Sequence, residues 1–181
     1  MATRSTTVSR SRGFTLVELM ITVAIIAVLA VLAGVGYVRF IRTAKTGEAA
    51  QMIANIKGAQ ETYRAETLRY LDASGGNLDV YYPVELPKLG KVGWDTSGCT
   101  ADPCKSFRIL NVKADGMVVY RYSTIAGAGD GTAKTIDGIA FTANEPWYIV
   151  KARGDTNQDG IDGLYWSSSF RNYIWSKNPD E

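Results

Sequence analysis

The chain has 181 residues, 20 Lys/Arg against 18 Asp/Glu, a net charge of +2 and no histidine. Without histidine it lacks the commonest general base and metal ligand and forms no serine triad, so catalysis is not expected. So small a net charge gives no strong basic field, and nucleic acid is not indicated as a partner.

Three arginines, Arg4, Arg10 and Arg12, precede Gly13 with no acidic residue among them. From Leu19 to Val38 the sequence is apolar for 20 residues, broken only by Thr22, Gly34 and Gly36. As a helix this run is long enough to cross a hydrocarbon core, and the basic start keeps the N-terminus cytoplasmic and sends the rest outward. Glu18 is the one charge at its head. A carboxylate costs about 2.5–3.5 kcal/mol at the centre of a span and less near the interface, so it needs a partner that the span does not contain.

The string Arg12-Gly13-Phe14-Thr15-Leu16-Val17-Glu18-Leu19 resembles the processing site of type IV prepilins. The resemblance is close over about the first 60 residues and general in plan beyond them. It implies removal of a leader, 1–13, by a prepilin peptidase, cleavage between Gly13 and Phe14, and N-methylation of Phe14. It also implies assembly through Phe14, Thr15 and Glu18, with Glu18 of one subunit neutralising the Phe14 amine of a neighbour in a low-dielectric filament core. Before assembly the amine would pair with Glu18 of its own chain, one helical turn away. Glycine at 13 lets a peptidase approach the backbone. Two other readings compete: a secretory signal peptide cut near Val31-Leu32-Ala33, and a plain single-pass anchor, for which Glu18 is a cost without return.

The hydrophobic helix is read as 14–38 and its amphipathic continuation as 39–71. Ile41, Ala49, Met52, Ile53, Ile56, Ala59, Tyr63 and Tyr70 form a stripe, with Lys45, Glu48, Lys57, Glu61, Arg64 and Glu66 largely on the other faces. Continuous helix from Phe14 to Tyr70 would be roughly 85 Å long. Many members of the resembled family carry a proline where this chain has Gly34-Val35-Gly36. Two nearby glycines weaken a helix by about 1 kcal/mol each, so this segment is expected to bend or unwind in a filament, or to let helices pack closely.

Past Leu71, Asp72-Ala73-Ser74-Gly75-Gly76-Asn77 ends the helix, and a loop runs through Pro83 and Pro87 towards Gly98. Strands are expected at Phe107–Val112, Met117–Ser123, Gly138–Thr142, Trp147–Ala152 and Leu164–Trp175, the last broken near Arg171-Asn172. Asp115-Gly116 reads as a hairpin between the first two. The fold class is α+β: a long N-terminal helix whose C-terminal half packs on a small antiparallel sheet, the pilin plan, in a head spanning 72–181. The dense aromatics Trp147, Tyr148, Tyr165, Trp166, Phe170, Tyr173 and Trp175 read as core and cross-strand pairs rather than a sugar-binding track.

Cys99 and Cys104, the only cysteines, fall outside the reducing cytoplasm and read as a disulfide closing a small loop. A redox pair normally has tighter spacing, and zinc would need two further ligands. Calcium is the one cofactor the sequence admits. Asp155, Asn157 and Asp159 alternate before Gly160, with the Ile161 carbonyl and Asp162 to close a short site, but Trp166 stands where the bidentate glutamate belongs. The competing reading is a polar hairpin turn.

Together these readings describe a structural subunit of a type IV pilus. It would be inserted in the inner membrane as a precursor, then polymerised with like subunits by a platform protein and a cytoplasmic ATPase into an extracellular filament. The alternatives are a pseudopilin of a type II secretion system, calcium-stabilised, and an uncut single-helix adhesin.

Overall fold

The computed structural model describes residues 13–85 and 91–179. The leader apart from Gly13, and Pro87 of the connecting loop, lie outside the described residues. The chain divides into two compact units, Met1–Phe40 and Ile41–Glu181.

Helix α1, Leu16–Thr67, contributes to both units. In the first unit its residues Leu16–Gly34 have a mean hydropathy of 2.8 and none is buried, a stretch long and apolar enough to cross a membrane. In the second unit the stripe lands as its spacing dictates: Ala49, Met52, Ile53 and Ile56 are buried, with Ala59 and Tyr63 packed at the margin. The helix stops at Thr67 rather than continuing to Tyr70. Leu68 turns to φ 62° and donates its N–H to the Arg64 carbonyl at 2.8 Å, a left-handed exit closed by a leucine.

Four antiparallel strands form the main sheet in the order β3 (Arg121–Gly127), β6 (Trp147–Gly154), β7 (Gly163–Ser168) and β8 (Arg171–Lys177). Alternation sends Tyr122, Tyr148, Val150, Ala152 and Tyr165 to the helix side. Ile125, Trp147, Ile149 and Trp166 go to the other face, where a second cluster forms with Leu78 and Ile139. That face is covered, so β6 is buried almost throughout. Its cover includes a hairpin of β4 (Ala133–Ile136) and β5 (Ile139–Thr142), of which the sequence reading expected only the second strand.

Three expectations between Phe107 and Ser123 fail. Phe107–Val112 is not a strand: α2 occupies Cys104–Ile109, with Phe107 wholly buried. It ends in a Schellman turn, Asn111 at φ 55°, with Val112 N–H to Phe107 O at 3.1 Å and Asn111 N–H to Arg108 O at 3.0 Å. Consequently Asp115-Gly116 joins no two strands. It leads into β2, Met117–Val118, which pairs with β1, Val92–Gly93, from the preceding loop. The expected strand at Met117–Ser123 is likewise split between β2 and β3. The break between β7 and β8 falls at 169–170, just ahead of Arg171-Asn172.

Candidate assembly site

Glu18 has a partner within the uncut chain. Thr15 caps α1: its Oγ1 accepts the Glu18 N–H at 3.2 Å, while the Glu18 carboxylate accepts the Thr15 N–H at 2.9 Å and the Thr15 hydroxyl at 2.7 Å. This is a capping box, two orphan donors of the helix start satisfied reciprocally. Its signature in the sequence is threonine followed three residues later by glutamate. Gly13 and Phe14 lie ahead of the helix, Phe14 is 74% exposed, and a side chain at Gly13 would meet nothing within 4 Å. The bond proposed for cleavage therefore lies just ahead of the first helical turn, with no described side chain packed against Gly13.

The arrangement carries a chemical consequence. A carboxylate with one oxygen held by both a backbone N–H and a hydroxyl is stabilised without a cation, so the chain tolerates Glu18 at the head of an apolar helix. A new amine at Phe14 would stand next to this acceptor and compete with Thr15 for it. Further along, α1 passes through Gly34 and Gly36 without interruption, and a side chain at either would meet nothing within 4 Å. Their small size answers no contact inside the described chain.

The second unit uses charged residues of α1 that the stripe had placed towards solvent. Glu48 accepts the Val119 N–H at 2.7 Å; burial pushes its carboxyl up against the opposing pull of backbone N–H groups. Lys45 donates to the Thr156 carbonyl at 2.6 Å, and Lys57 to Ser167 Oγ at 2.9 Å and the Arg171 carbonyl at 3.2 Å. Gln60, fully buried, bonds both the N–H and the carbonyl of Leu71 as a strand would. On the far face Lys151, 4% exposed, pairs with Asp137 at 2.9 Å and Asp79 at 3.1 Å. No periodicity marks a lysine destined for that position.

Cys99 and Cys104 are joined, their Cα atoms 5.6 Å apart, in the loop that enters α2. In the Asp155–Asp162 loop every named side chain has work to do. The Asp155 carboxylate accepts the N–H groups of Gln158 and Gly160, Asn157 that of Asp159, and Asp159 that of Ile161. Asp162 is held by Arg153 at 2.5 and 2.7 Å, and Ile161 is half exposed. Gly160 takes φ 88°, the left-handed turn that the glycine predicted. Among the described residues no three His, Cys, Asp or Glu side chains converge on a metal position. The expected aromatic packing holds: Trp147, Tyr148, Tyr165 and Trp166 are buried, Trp166 stacks across the strands on Trp175, Tyr173 meets Trp175 edge to face, and Phe170 stacks on Phe141, although Phe170 and Tyr173 remain 39% and 58% exposed.

Residues 8–34 match the prokaryotic N-terminal methylation motif, the signature of type IV pilins and related prepilin-like proteins. The chain thus carries the processing signal of prepilin peptidase substrates, a class of structural subunits, and its apolar N-terminal helix fits a membrane-anchored precursor. No curated protein and no solved structure matches the chain.

Proposed function

We propose that the protein is a structural subunit of a type IV pilus, cut after Gly13, methylated on Phe14 and polymerised through α1 into extracellular filaments. The observation that carries this reading is Glu18 at the head of Leu16–Gly34, a span of which nothing is buried by its own chain. So long an apolar surface is stable in lipid before assembly and against copies of itself afterwards. In a filament core the methylated Phe14 amine of one subunit takes over the Glu18 carboxylate of the next from Thr15. The pairing then favours bundling only after cleavage, because Phe14 of an uncut chain is in a peptide bond and has no free amine to offer. Gly34 and Gly36 admit close helix contact there or local unwinding. Assembly would draw on a platform protein and a cytoplasmic ATPase.

The test is Glu18→Gln in cells that retain the assembly machinery. The variant should be cut and remain in the membrane while disappearing from the sheared surface fraction; undiminished surface filaments would sink the proposal. A pseudopilin of a secretion system is the second reading, favoured by the alternating oxygen side chains and left-handed Gly160 of the Asp155–Asp162 loop. Calcium there would have to draw Asp162 away from Arg153. A calcium-dependent rise in Tm, abolished by Asp155→Asn, would support it; an unchanged Tm would remove calcium from the account.

A further inference from the structure

Between the last turns of α1 and the segment joining β5 to β6 lies a hollow of about 380 Å³, which the assembly reading does not use. We propose that this hollow binds a neutral saccharide of about one or two units. One wall is aromatic and fixed in place. Phe170, 39% exposed, stacks on Phe141 with centroids 4.6 Å apart, and Phe141 meets Trp147 edge to face at 4.9 Å. Such faces take the C–H side of a sugar ring and offer nothing to its hydroxyls.

Other residues around the hollow supply what hydroxyls need. Arg64, Asn144 and Glu145 line it, a planar fork of donors, an amide with both donors and acceptors, and a carboxylate acceptor. Arg64 is held in place by Tyr70: its Nη1 donates to the phenol oxygen at 2.9 Å and the guanidinium lies 5.1 Å from the ring centroid. The Tyr70 hydroxyl in turn donates to Glu61 at 3.0 Å. The Arg64–Glu145 ion pair is long, 3.7 Å, with side chains 37% and 81% exposed, so it leaves most of the hydrogen-bonding capacity of both groups unspent. One guanidinium against one carboxylate leaves the rim without net charge, which favours a neutral ligand over an acidic one. The volume falls in the range of about 300–1,000 Å³ typical of small-molecule sites.

The test uses the processed full-length chain in a detergent without a sugar headgroup, applied to immobilised neutral, sialylated and sulfated oligosaccharides. The expected result is retention on at least one neutral glycan, weakened about tenfold by Glu145→Ala and by Phe170→Ala, with Tm unchanged in the exposed Glu145 variant. Retention on no glycan, retention on acidic glycans alone, or binding indifferent to both substitutions would overturn the proposal.

Discussion

Replacing Gln60 with leucine removes one side chain that stands in for a strand. Its Nε2 donates to the Leu71 carbonyl at 2.8 Å and to Thr124 Oγ1 at 3.2 Å, and its Oε1 accepts the Leu71 N–H at 2.9 Å; Gln60 itself is fully buried and Leu71 partly so. Leucine has similar bulk, so the main effect is to leave the Leu71 N–H and carbonyl unpaired in the interior. Each orphan costs about 1–3 kcal/mol, and added apolar burial offsets part of this, for a net loss of about 2–4 kcal/mol. Neighbouring bonds survive, since Ala73 and Ser74 still donate to the Thr124 carbonyl and Ser74 Oγ still accepts its N–H. The damage should therefore be concentrated at Leu71. Urea unfolding followed by tryptophan emission should show the midpoint falling by about 1–2 M, with faster amide exchange at Leu71 than at Ser74. A midpoint unchanged in Gln60→Leu, or exchange accelerated equally along the segment, would refute the reasoning.

Ile53→Ala opens a cavity at a fully buried stripe position and should cost about 2–5 kcal/mol in the same unfolding assay. At Gly127 an added Cβ would lie 2.6 Å from the Trp147 ring, so Gly127→Ala should destabilise by about 1–3 kcal/mol and perturb near-UV circular dichroism. Removing the Cys99–Cys104 bond by a double serine substitution opens only a short loop and should cost about 2 kcal/mol, read as a drop in Tm. The hydrogen bond from Lys151 holds the Asp79 carboxyl below its ordinary value, so its stabilisation is present above about pH 4 and lost as pH falls through the lowered folded value. Asp79→Asn should flatten the stability–pH profile below about pH 4 relative to the parent, and an identical slope there would contradict the Lys151 pairing.

What the sequence disclosed follows from which forces are local. Ala49, Met52, Ile53 and Ile56 recur at the helical period, so the packing face of α1 was readable, and β6 was readable because its apolar run exceeds anything a surface loop would carry. Residues 107–112 misled for the same reason: Phe-Arg-Ile-Leu-Asn-Val has strand composition, yet the burial of Phe107 against Trp94 and Tyr82 favours one short helix turned by Asn111. β4 escaped because Ala133-Lys134-Thr135-Ile136 sets its two polar residues side by side, without the alternation of a half-buried strand, and gains its pairing only from β5. Glu48, Gln60 and Lys151 are chosen by partners 11 to 72 residues away, which no periodicity reports. At the candidate assembly site Gly13 and Phe14 were singled out by the resemblance of Arg12–Leu19 to prepilin processing sites, and Glu18 also by being the one charge at the head of the apolar run.

The proposed subunit is processed at Gly13 and assembled through the new end. This is tested most directly by the mass of the N-terminal peptide of protein recovered from a sheared cell-surface fraction. A peptide beginning at Phe14 and carrying one extra methyl group is the predicted result. A peptide beginning near Gly34, or a chain that stays uncut in the membrane, would leave Glu18 with Thr15 as its lasting partner and contradict the account.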